Sequence, residues 1–176
     1  YAGASLNSIC ESGIPKGLLY HNYKNKDAVY LACVGQCFRN LTEHLRAAGV
    51  GSDLEKYMLA RMEFFREHDL EAHIFFDAVL QPPEALRGDI LALRGEFDAL
   101  SRELFQQTIH CVTLRPGITE EDAMAYFAIV QDMFNSYFSS PACGSLPLSE
   151  KMSIHEANLP KLFDFMLYGV AERRDS

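Results

Sequence analysis

Tryptophan is absent from this 176-residue chain, so its aromatic content rests on 12 Phe and 8 Tyr. Also missing is an apolar run long enough to cross a membrane, because Asp, Glu, Arg or His interrupts every greasy stretch within a few turns. No leader with a charged start and an apolar middle opens the chain, which begins Tyr1-Ala2-Gly3-Ala4-Ser5. That opening, without an initiator Met, reads as a start partway into a longer protein. Cysteine is sparse: five in irregular positions do not make a disulfide framework, and an odd number cannot all pair within one chain. A reducing cytoplasm suits them. No nucleophile–base motif, phosphate-binding loop or paired-carboxylate signature stands out, so the chain reads as a non-enzyme with no cofactor and no resident metal.

What is present describes a folded, soluble protein. Hydrophobic residues make up 48% and charged residues 23%, which excludes a disordered chain, and the length allows one or two domains with a substantial core. The net charge of −8 is unevenly spread. Residues 1–46 carry five Lys/Arg against three acids, a net +2, whereas residues 47–176 carry eleven against twenty-one, a net −10. A small basic head on an acidic body can approach DNA while the body stays away from it.

Helical signals run along the whole chain, with no strand and no repeat, which predicts an all-α fold. Ser5 to Cys10 reads as a short helix with Ser5 as N-cap and Leu6 and Ile9 on one face. Ser12-Gly13 breaks it, and Pro15 opens a second short helix carrying Lys16 to Tyr20. After the polar stretch His21 to Asn25, a long helix is predicted from about Lys26 to Arg46. Leu54, Tyr57, Met58, Met62 and Phe65 share one face of the next. Leu70 to Leu80 is a shorter candidate, stopped by Pro82-Pro83. Leu86, Ile90, Leu93, Phe97, Leu100 and Leu104 form the stripe of one long packed helix. Thr119 caps another, with Asp122 as acidic partner, and there Tyr126, Phe127, Val130, Met133, Phe134, Tyr137 and Phe138 cover a broad arc. A Ser/Pro/Gly-rich loop spans Ser139 to Ser149, and Asn158-Leu159-Pro160 opens a last helix bearing Leu162, Phe163, Phe165, Met166, Leu167 and Val170.

The run Gly13-Ile14-Pro15-Lys16-Gly17-Leu18-Leu19-Tyr20-His21-Asn22-Tyr23-Lys24-Asn25-Lys26 resembles the helix-turn-helix of the TetR family of transcriptional regulators. Phe165-x-Leu167-x-Gly169 is similar to the family's last helix. The resemblance implies a helix-turn-helix DNA-binding head over residues 1–46, connecting helix included. A helical-bundle ligand-binding and dimerisation domain would then occupy 47–176. It implies DNA contacts from Ser5, Pro15, Lys16, Gly17, Tyr20, His21, Tyr23, Lys24 and Lys26. Gly17 permits close backbone approach, Lys16 offers an ammonium to phosphate or guanine, and Tyr20 and Tyr23 set a phenol on a packed ring. His21, Lys26 and Ser5 supply further donors, while Ile14, Leu18 and Leu19 pack the inner side. Two features depart from the family pattern: one residue fewer separates Ile9 from Gly13, and the family's first helix would lie ahead of Tyr1.

The resemblance further implies operator DNA, an unidentified small-molecule effector and a second copy of the chain as partners. For the effector the expected lining is Met62, Phe65, Phe76, Phe97, Phe127 and Phe134, with His73, Gln107, His110 and Gln131 as polar points. For the dimer, the last two long helices pair across the two-fold through Tyr126, Phe127, Val130, Phe134, Tyr137, Leu162, Phe163, Met166 and Val170. Repression relieved by the effector is the family's common mode, and activation is the other. Two smaller constellations stand apart. Glu67, His68, Asp69, Glu71 and His73 offer metal-ligand types in a solvated helix end, and Cys33 and Cys37 sit one turn apart as small hydrophobes or a redox pair. They keep a metal- or redox-sensing regulator in view. An all-α ligand carrier or enzyme without DNA binding is the remaining alternative.

Overall fold

The computed structural model describes residues 21–170, and these form an all-helical body with no strand among the described residues. Helix α1 (Lys26–Ala47) starts where the Asn25 side chain accepts a hydrogen bond from the Ala28 amide at 2.9 Å. Asp27 in its first turn and His44 and Arg46 in its last complement the helix dipole. Val34, Cys37, Phe38, Leu41 and Leu45, spaced by three and four, are buried along one stripe. Gly49, at φ 61°, turns the chain beyond its end, a conformation that costs glycine nothing.

Asp53 caps α2 (Leu54–Glu67) through the Lys56 amide, and α3 (Asp69–Leu80) follows after His68 and stops ahead of Pro82-Pro83. A short 3-10 turn (Glu84–Leu86) leads into α4 (Arg87–Leu93) and α5 (Gly95–His110). Arg115-Pro116-Gly117-Ile118 makes a turn closed by the Ile118 amide on the Arg115 carbonyl at 3.0 Å, with Gly117 at φ 84°. Thr119 and Asp122 then form the reciprocal capping box of α6 (Glu120–Tyr137). The last helix is α7 (Leu148–Val170). No helix among the described residues is long and apolar enough to cross a membrane.

Helix α1 is the hub, packing against α2, α3, α4 and α5; α5 carries α6, and α3 touches both α6 and α7. This helix, expected to be the connecting helix of residues 1–46, thus packs against four of the helices that follow it. Phenylalanines bind the layers: Phe38 of α1 meets Phe75 of α3 and Phe97 of α5, and Phe105 stacks on Phe127 of α6 at 4.2 Å.

Three expectations change. The stripe Leu86–Leu104 is not one helix: it breaks at Arg94-Gly95, where Arg94 turns to φ −88°, ψ 2° and glycine, a poor helix residue, follows. Pro160 does not open the last helix but lies inside α7, which begins ten residues before Asn158. The proline removes an amide donor, at a typical cost of about 3 kcal/mol, and burial of Leu159, Phe163 and Met166 around it offsets that loss. On α2 the buried residues are Tyr57, Met58, Ala60, Arg61 and Phe64, so Tyr57 and Met58 are inside as expected, whereas Met62 is 54% exposed and Arg61 is buried in its stead.

Phe105 is fully buried and stacked, so Phe105→Ala should remove about 3–5 kcal/mol of stability, read as a lower midpoint in urea unfolding.

Candidate functional site

The buried face of α2 takes a charge inside. Arg61 is only 2% exposed, lying between α2, α3 and α7. Its guanidinium carbon sits 5.0, 5.3 and 5.8 Å from the ring centroids of Phe65, Phe75 and Phe76. Its Nη1 donates to Glu156 Oε1 at 2.7 Å, while Nε is buried with no hydrogen-bond partner among the described residues. Glu156 also meets its neighbour His155, whose Nδ1 lies 3.0 Å from the same carboxylate oxygen. The other ring nitrogen faces the Asn135 side chain at 3.2 Å, and Phe76, Phe134 and Phe138 surround the imidazole.

These surroundings set the charges. Burial alone would raise the Glu156 carboxyl, but the Arg61 guanidinium and the His155 hydrogen bond outweigh it and hold the acid below its ordinary value. Burial holds His155 below its ordinary value too, against the pull of Glu156. The cluster is therefore a carboxylate–guanidinium pair with a neutral imidazole beside it, wrapped in aromatic rings.

The cluster borders a small cleft of about 30 Å³. Tyr57 and Arg61 come from α2, Phe75 and Val79 from α3, Gln131 and Asn135 from α6, and His155, Leu159 and Phe163 from α7. The break between α4 and α5 adds Arg94 and Phe97. Arg94 is engaged by Asp98 through a two-point pair, with Nε and Nη2 donating at 2.8–3.0 Å.

Of the expected effector residues, Phe97 and Gln131 line this cleft, and Phe65, Phe76 and Phe134 form its second layer around Arg61 and His155. Phe127 is buried one step away against Phe105 and Phe163. Met62, His73 and His110 lie on the surface, where His73 faces the Asp69 carbonyl and His110 faces Glu120. Gln107 borders a different, open groove near Gly49. Sequence reasoning missed Arg61, Asn135, His155 and Glu156. Arg61 at four residues after Tyr57 and three before Phe64 is the one available signal, a charge in register with an apolar stripe.

The expected DNA contacts Ser5, Pro15, Lys16, Gly17 and Tyr20 lie outside the described residues. Within them, His21 and Lys24 are exposed, and Tyr23 and Lys26 half-buried, at the start of α1. Of the expected dimer residues, Phe127, Phe163 and Met166 are buried in the subunit's own core, and Val130, Phe134 and Leu162 pack against it. Val170 is the last residue of α7. Tyr126 and Tyr137 face outward with Ile129 and Met133, and Phe165 and Tyr168 do the same on α7.

No group of three or more His, Cys, Asp or Glu among the described residues is arranged to hold a metal ion. Cys37 is buried, donates to the Glu71 carbonyl at 3.2 Å and is pushed up to about 12, chiefly by burial; Cys33 is raised by the same cause. Both stay thiols at neutral pH.

Acid should loosen this site in two stages. The lowered His155 means that the unfolded chain takes that proton first, so its contribution is whole above the ordinary value of 6.5 and lost as pH falls below it. Glu156 follows the same sign below 4.5. Melting temperature should be flat from pH 7 to 8 and decline in these two steps on acidification. Glu156→Gln, which leaves Arg61 uncompensated, should cost about 3–5 kcal/mol at pH 7 and erase the second step.

In comparisons with known proteins, no family model matches the chain, and no curated protein or solved structure matches it either.

Proposed function

We propose that this chain is a ligand-responsive, DNA-binding transcriptional regulator of the TetR type, a repressor released from its operator by a small molecule. The observation that carries the reading is the run Gly13 to Lys26, which ends at the start of α1. A motif of this kind needs a helix immediately behind its recognition helix, and Asn25, its penultimate residue, is the N-cap of α1. From there α1 runs into the body and packs on α2 and α3, two of the elements that form the cleft. A ligand in that cleft acts on the same helices that hold α1, which is the connection such a switch needs.

The reading includes a homodimer. Tyr126, Ile129, Met133 and Tyr137 make an outward apolar stripe on α6, and Phe165 and Tyr168 extend it on α7. The stripes meet where the Tyr126 hydroxyl approaches Gly169. Solvated helices rarely carry so much exposed apolar surface in one place. Pairing of two such faces would hold two recognition helices about 34–36 Å apart, one DNA turn. The alternative, a helical ligand carrier without DNA binding, draws on the cleft alone, because that site is complete within the body.

A gel-shift with DNA from upstream of the protein's own gene separates the two. The regulator should form a specific complex that weakens at least roughly tenfold between 50 and 200 mM salt and is lost in Lys16→Ala and Tyr20→Ala. A complex that is absent, or indifferent to both substitutions, points to the carrier. Light scattering should give twice the chain mass for the parent protein, and Ile129→Glu with Met133→Glu should reduce it to one chain.

A further inference from the structure

We propose that the cleft beside Arg61 receives a small organic acid, a monocarboxylate with a flat apolar tail. The proposal rests on the ligand-responsive reading above, whose small molecule it defines by chemical class.

The guanidinium of Arg61 is incompletely served. Aromatic rings occupy its surroundings and Glu156 takes Nη1, but Nε, buried in a side chain 2% exposed, has no partner among the described residues. A buried donor left this way is destabilising, more so on a charged group, and an arriving acceptor removes the penalty. The edge formed by Nε and Nη2 is the fork that a carboxylate engages side-on through both oxygens.

The rest of the lining specifies the same class. Its polar members are Tyr57, Arg61, Arg94, Gln131, Asn135 and His155, and no Asp or Glu is among them. Two carboxylates reach residues of the lining and are engaged there, Asp98 by Arg94 and Glu156 by Arg61 and His155. A cationic ligand would find no acidic partner and two guanidinium groups. An acid brings the acceptor that the cleft lacks. The remaining walls are Phe75, Phe97 and Phe163 with Leu159 and Val79, which suit a ring or short hydrocarbon tail.

Size then links binding to shape. The free space of about 30 Å³ accommodates a head group of a few atoms, roughly the room of one or two waters. A tail exceeds that space and bears on the side chains of α3, α6 and α7 that wall the cleft, so its size is felt by those helices.

The test is calorimetric titration of the whole chain with benzoate, beside its neutral and cationic counterparts benzyl alcohol and benzylamine, with thermal melts in parallel. Benzoate should bind saturably, at least tenfold tighter than benzyl alcohol, and raise the melting temperature, while benzylamine does neither. Arg61→Lys should lose at least tenfold in benzoate affinity. Because Arg61 is buried, Gln131→Glu provides a second variant at a half-buried position: it should melt no lower than the parent yet bind benzoate at least tenfold more weakly. Equal binding of benzoate and benzyl alcohol, no binding of benzoate, or benzoate binding untouched by Gln131→Glu would overturn the proposal. Benzoate binding in a protein that shifts no DNA keeps this site and removes the regulator reading. DNA binding without benzoate binding does the reverse.

Discussion

A single buried positive charge organises the middle of this molecule. Arg61 cannot sit 2% exposed among Phe65, Phe75 and Phe76 unless a carboxylate comes to it, and the carboxylate comes from 95 residues further along the chain. That requirement pins α7 to α2 and α3. Once Glu156 is there, its neighbour His155 is necessarily drawn in, and the imidazole brings α6 with it through Asn135, Phe134 and Phe138. Buried ion pairs of this sort add little net stability compared with a hydrophobic replacement, because desolvation consumes most of the attraction. What this pair supplies is a polar seam in an otherwise phenylalanine-rich core, with one donor left over.

Local chemistry was legible in the sequence and long-range chemistry was not. The polar stretch ending at Asn25 and the pair Thr119 and Asp122 announce the starts of α1 and α6, and Pro82-Pro83 announces the end of α3, because caps and prolines act within a turn of themselves. The stripe on α1 needs only its own spacing. By contrast, the inward turn of Arg61 depends on a partner in a distant helix, and a charged residue on an amphipathic segment is by default read as solvated. Tyr57-x-x-x-Arg61 and Met58-x-x-x-Met62 are both helical spacings whose first members are buried, and only the tertiary partners take Arg61 in and leave Met62 out.

The proline in α7 misled for a related reason. A proline suits the first turn of a helix, and Asn158-Leu159-Pro160 has the look of a beginning. Placing the start there leaves His155 and Glu156 unassigned to any helix, so the two residues that complete the site disappear from view together. In the structure, burial of Leu159, Phe163 and Met166 holds the helix straight through the position where an amide is missing. A similar loss occurs at Arg94-Gly95: read as a continuous helix, that segment gives no reason for Arg94 and Phe97 to reach the same cleft, whereas the break lets them do so.

Tyr30, on the second turn of α1, donates from its hydroxyl to Asp77 of α3 at 2.8 Å, and Asp77 stands between Phe75 and Val79, which both line the cleft. With 22 residues, α1 is about 33 Å long. That bond ties α3 to α1 about 6 Å from Lys26, and the core holds the length of helix beyond it. A tilt of about 5° about that point would move the tip by only about 0.5 Å, well under the length of a hydrogen bond. What reaches the first turn is therefore a displacement of α3 itself, handed on almost one for one, so the start of α1 follows the cleft wall as a rigid extension of it.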